Sequence, residues 1–117
     1  MSPYILKLIK TAVIIFLVDI FWLMTGGIYA RKMTEEIQGF PIRFRFLSAV
    51  IVYLFLAYML LETTSAKQAF MYGVATYAVY DFTNHALLEK YDWKFAIADT
   101  LWGGTLFVLA RHLLKQF

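Results

Sequence analysis

The chain has 117 residues, of which 62% are hydrophobic and 19% aromatic, and only 16% are charged, where a soluble domain carries roughly a quarter. That balance excludes an ordinary water-soluble domain and points to a membrane protein; once its spans are counted, little chain is left for a soluble module. The formal charge of +3 does not argue for nucleic acid, because the basic residues flank apolar runs and form no continuous stripe, and the lack of cysteine excludes disulfide and thiol chemistry.

Four apolar stretches, at about 4–25, 44–61, 67–88 and 93–114, are each long enough for a helix crossing roughly 30 Å of hydrocarbon. The fold expected is all-α, a single transmembrane domain with four antiparallel spans in a bundle. In the first stretch, Lys7 and Lys10 reach back toward the headgroups while Ile14 to Val18 enter the acyl region. Its later polar residues, and the want of a small-residue processing site, read against a cleaved signal peptide. Gly26 and Gly27 end this helix. Between Ile28 and Gln38, Tyr29, Met33 and Ile37 recur on one face with charges elsewhere, which predicts a short interfacial helix. Gly39 and Pro41 break the chain before the second stretch, which is apolar almost all round and reads as packing or lipid-facing wall. Short links at Glu62 to Ala66 and Lys90 to Asp92 predict antiparallel neighbours.

Four spans leave both termini on one side of the membrane, face A, with the first and third loops on the other, face B. Lys7, Lys10, Lys67, Arg111 and Lys115 fall on face A; Arg31, Lys32, Arg43, Arg45, Lys90 and Lys94 fall on face B. So even a distribution assigns no orientation by the positive-inside rule. Arg31, Lys32, Arg43 and Arg45 form a candidate contact for anionic lipid or an acidic partner, set against the simpler account of a solvated membrane rim.

Three aspartates, Asp19, Asp81 and Asp99, stand inside the first, third and fourth stretches. At 1.5 Å per residue each lies roughly 9 to 11 Å below face B, so they share one layer. A carboxyl group in hydrocarbon is costly unless paired, protonated or facing a wet cavity, and in a bundle such residues turn inward. On the third span Gly73, Tyr77, Asp81, Asn84 and His85 recur as a polar stripe. The first and fourth spans repeat one pattern, Asp19-Ile20-Phe21-Trp22 and Asp99-Thr100-Leu101-Trp102, with Trp22 and Trp102 on the same helix face as their aspartates and a Gly-Gly pair following. The copies run oppositely through the membrane, a hint of an inverted repeat.

The run Tyr80-Asp81-Phe82-Thr83-Asn84, then Asp99-Thr100-Leu101-Trp102-Gly103, with Asp19 and Trp22 in the first span and Tyr29 to Lys32 after it, resembles the signature of the uncharacterised family known as domain of unknown function 2177. The resemblance covers nearly the whole chain. It implies a four-span membrane protein, of a kind found in bacteria and in large DNA viruses, with no established activity. The second span and its connections are compact beside those of bacterial relatives.

Two accounts of the aspartates compete. They are structural groups hydrogen-bonded to Asn84, Thr83, Thr100, Tyr80 and the tryptophans, or they bind a proton or a hard cation, since no Lys or Arg lies in their layer. No cofactor, metal site or catalytic residue is expected: nucleophile elbow, phosphate loop, dinucleotide glycines and paired zinc ligands are all missing. His85 could join the aspartates around a metal, but a single histidine beside a helix end reads as an interfacial or structural residue, and His112, beside Arg111 and Lys115, as a solvated end group. Ser65, Ala69 and Gly73 have the small-residue spacing of a close helix-packing face. Tyr4, Tyr91, Trp93 and Phe117 read as headgroup anchors outside any site. The leading functional expectation is a non-enzymatic membrane component that anchors or organises an assembly, partnered by the bilayer and by copies of itself or other membrane proteins, or by a capsid for a virus-encoded member with an internal virion membrane. The competing expectation is a small proton- or cation-linked transporter or channel.

Overall fold

Ser2 opens the first helix: its hydroxyl accepts the Ile5 N–H at 3.1 Å, and Pro3 follows at a position where its missing donor costs nothing. The computed structural model describes residues 1–117 and contains five helices and no strand: α1 Pro3–Leu23, α2 Gly26–Gln38, α3 Phe46–Leu61, α4 Ala66–Leu87 and α5 Trp93–Gln116. Side chains cap two more starts. Ser65 accepts the Gln68 N–H at 3.1 Å and Asp92 the Lys94 N–H at 2.8 Å. Gly39 ends α2 at φ 82°, a left-handed conformation that favours glycine, and its N–H bonds the Glu35 carbonyl.

α5 is the most enclosed helix, burying Ala96, Asp99, Trp102, Leu106, Phe107 and Ala110 among others. It packs against α4 on one side and α1 on the other, and α1 in turn packs against α3. Ile15 of α1 and Leu56, Ala57 and Leu60 of α3 complete the main core with the α5 residues. A smaller core, Met33, Tyr91 and Ala96 with Ile37 and Phe95 beside it, fastens α2 over the start of α5. The expected face of the interfacial helix is thus the docked one.

Three expectations are met only in part or not at all. First, the chain is all helical as expected, but no single helix is both long and apolar enough to qualify by itself as a crossing, α1 and α2 qualify only as a pair bent by 75°, and α3 is apolar but has 16 residues. Every window of α1 that could cross holds three charges, Lys7, Lys10 and Asp19, and α4 and α5 carry polar residues along their length, some buried, as Asp81 and Asp99 are, and some exposed, as Lys67, Thr83 and His85 are. Second, α3 and α4 meet only weakly despite their short link. Third, Ser65 does not belong to the packing face. It is exposed and serves as a cap, while Ala69 and Gly73 are buried. The glycine pair after Asp19 also begins α2 rather than simply ending α1.

α4 and α5 run antiparallel with backbones in contact. A Cβ at Gly73 would stand 2.9 Å from the Gly104 Cα, and one at Gly103 would stand 2.7 Å from the Gly73 carbonyl oxygen. Neither neighbour is a flexible side chain that can yield. Gly73→Val is therefore expected to cost about 1–3 kcal/mol or more through overpacking, read as a lower unfolding midpoint in detergent, whereas Gly39→Asn at the exposed left-handed turn should change the midpoint far less.

Candidate functional site

The antiparallel register of α1 and α5 sets the two Asp-x-x-Trp patterns against each other. Trp22 donates its indole N–H to Asp99 Oδ1 at 2.8 Å, and Trp102 donates to Asp19 Oδ1, also at 2.8 Å. Moving three residues along α1 moves three residues back along α5, so each tryptophan serves the aspartate of the other helix. The two indoles stack between them, centroids 5.6 Å apart and planes 13° from parallel. The sequence showed that each indole could find a partner in the bundle; the crosswise exchange depends on register, which one chain does not reveal.

The remaining carboxylate oxygens divide into two groups. Asp19 is fully engaged, its Oδ2 accepting from the Tyr53 hydroxyl at 2.6 Å. Tyr53 lies on α3, so the helix expected to be only wall supplies a donor to the layer. The signal available was a tyrosine hydroxyl in the middle of an apolar run, at the depth of Asp19. Asp81 accepts from the Tyr91 hydroxyl through Oδ1 at 2.6 Å. Tyr91 is 6% exposed and not the headgroup anchor expected, because its ring turns back from the third loop into the bundle. Burial first, and the Asp81 carboxylate second, hold the Tyr91 proton on well above the ordinary phenol range, so it remains a donor.

Asp81 Oδ2 has no donor at all, in a side chain of 0% exposure. Asp81 lies against Asp99 and Thr100, and the Thr100 hydroxyl, also buried, makes no hydrogen bond of acceptable geometry. No basic side chain enters the layer, the single ion pair of the chain being the exposed Arg31–Glu35 at 3.5 Å. A cavity of about 190 Å³ beside the layer is lined by Asp19 and Asp99, by Trp22, Tyr77 and Tyr80, and by Met33 of α2 among others. Tyr77 packs over Gly103 and bonds none of the aspartates. Asn84 is partly buried beside Tyr80 and Tyr91 and lies off the carboxyl oxygens. His85 is exposed against Phe82, so the polar stripe of α4 ends before it. No three acidic or histidine side chains converge as a metal site.

The other candidate residues lie apart from this layer. Arg31, Lys32, Arg43 and Arg45 are exposed on α2 and the loop after it. There Glu35 accepts the Ile42 N–H at 2.8 Å, and Gln38 donates to the Phe40 and Pro41 carbonyls. Tyr29 donates to Asp92, the cap of α5, and so adds to the apolar contact between α2 and α5 a polar link that the sequence did not announce.

The family model described as "Predicted membrane protein (DUF2177)" matches residues 4–113. No curated protein and no solved structure matches the chain.

Donation from Tyr29, then from the Lys94 backbone N–H, holds the Asp92 carboxyl below the ordinary carboxylate range. A carboxylate so depressed stabilises the folded state above its unfolded value, and the contribution disappears as pH falls through the folded one. Acidification below the ordinary carboxylate range is therefore expected to loosen α2 from α5, seen as faster amide exchange in residues 26–38, and Tyr29→Phe should loosen it already at neutral pH.

Proposed function

The chain belongs to the DUF2177 family of predicted membrane proteins, and on that premise we propose that α1, α3, α4 and α5 each cross the bilayer, that α2 lies at headgroup level, and that the Asp81–Asp99 pair takes up a proton from the α2 side. The long dimension of 44 Å suits a bilayer of about 40–45 Å including its headgroups. Val13, Phe16 and Leu17 of α1, Val52 and Phe55 of α3, Val79 of α4 and Leu101 of α5 are all exposed. An apolar exterior of that extent matches lipid far better than water.

The observation that carries the reading is the donorless Asp81 Oδ2 in a buried side chain set against a second carboxyl group. Two carboxyl groups in contact, with no cation beside them, are accommodated when one proton bridges them. A metal ion is a poorer fit because three ligands do not converge. Asp99 also lines the cavity beneath α2, which provides a route for the proton to the face-B side. A bundle of this size has little room for a continuous path, so transfer across the whole bilayer would involve copies packed together.

The second reading, a membrane component that organises an assembly by packing with copies or partners, draws on a separate observation. Phe44, Phe46 and Leu47, at 75%, 74% and 71% exposure, form an uncovered apolar edge at the start of α3, beside Arg43 and Arg45.

Reconstituted into liposomes with an internal pH dye and an imposed potential, the native protein is expected to admit protons faster than empty vesicles. Asp81→Asn and Asp99→Asn should each reduce the rate to the empty-vesicle level while the fold persists. Native protein at the empty-vesicle rate would remove the proton reading and leave the assembly reading.

A further inference from the structure

We propose that the face-A end of the bundle binds the phosphate group of an anionic phospholipid. Lys7 and Lys10 of α1 and Arg111 and Lys115 of α5 line one cavity of about 530 Å³. No acidic side chain lines it, and none of the four cations is in an ion pair. Residues three or four apart share a helix face, so each helix directs both its charges the same way. The N-terminal end of α1 lies beside the C-terminal end of α5, where the helix dipoles offset one another and the side chains decide the sign of the field.

Four like charges around one opening repel each other, and an anion among them relieves the repulsion. Arg111 can grip two phosphate oxygens with its planar fork, and the lysines act as mobile point charges around it. The walls select the source of the phosphate. Leu6, Leu60 and Leu114 line the same cavity; inorganic phosphate gains nothing from them, while the glycerol and upper acyl carbons of a lipid bury against them. The volume falls within the range of ligand-sized clefts. This inference rests on the membrane placement proposed above but not on proton uptake, and it concerns the end of the bundle opposite the carboxyl layer.

The test uses the full chain in a non-ionic detergent and reads its unfolding temperature during titration with short-chain phosphatidylglycerol, short-chain phosphatidylcholine or inorganic phosphate. Phosphatidylglycerol should raise the temperature saturably, and the other two should not. Lys10→Gln with Arg111→Gln should raise the half-saturating concentration roughly thirtyfold, and Lys7→Gln with Lys115→Gln should do the same if the first pair folds poorly. Lys90→Gln with Lys94→Gln, on the opposite face, should leave it unchanged. An equal response to phosphatidylcholine, an equal response to inorganic phosphate, or an equal loss in the Lys90 and Lys94 variant would each overturn the proposal. Because the readout does not involve proton flux, a silent flux assay leaves this result intact, and the converse also holds.

Discussion

Two indole N–H groups, each bonded to a carboxylate on the other helix, fix α1 against α5, and the rest of the bundle is arranged around that exchange. An aspartate among apolar side chains is costly unless something satisfies it. Here the satisfying group always comes from elsewhere in the chain: Trp102 and Tyr53 for Asp19, Trp22 for Asp99, Tyr91 for Asp81. Each bond therefore joins separate elements, and four helices and the third loop are tied at one level. A single such bond in a membrane protein contributes about 1 kcal/mol. Their consequence is register, because sliding α1 by one residue would strand both indoles and both carboxylates together.

Below that layer the helices are held by shape. Gly73, Gly103 and Gly104 bring the α4 and α5 backbones into contact, and this approach carries Asp81 to Asp99. The close packing of small residues and the meeting of the two carboxyl groups are thus one structural fact. Asp19 has both oxygens engaged and acts as a joint. Asp81 keeps a buried oxygen without a donor and lies against Asp99, which lines the cavity that α2 covers, and the proposed proton uptake rests on that pair.

Part of this was legible from residue order. Depth counting put the three aspartates in one layer, and the Asp-x-x-Trp repeat marked the helices that share it. The glycine break and the Tyr29, Met33 and Ile37 face anticipated α2. The crosswise pairing was not legible, because it depends on how α1 and α5 align in space. Tyr53 and Tyr91 escaped notice for a related reason: a tyrosine near a span end or in an apolar wall reads as an anchor until its ring direction is known, and both rings turn inward. Ser65 had the spacing of a packing residue, yet its position just before α4 made it a cap. Hydropathy alone also gave the spans too simple an outline, since α4 and α5 mix apolar residues with polar ones both inside the bundle and on its surface.

The central claim is the exchange of partners between the two Asp-x-x-Trp patterns, and the indole N–H resonances of the three tryptophans test it most directly. In the ¹⁵N-labelled protein, Asp99→Asn should shift and expose the Trp22 resonance while Trp102 keeps its protection. Asp19→Asn should do the reverse, and exposed Trp93 should respond to neither. If each substitution instead perturbs the tryptophan three residues along its own helix, or if both indoles exchange as freely as Trp93 in the native protein, the account of how this bundle is held is wrong.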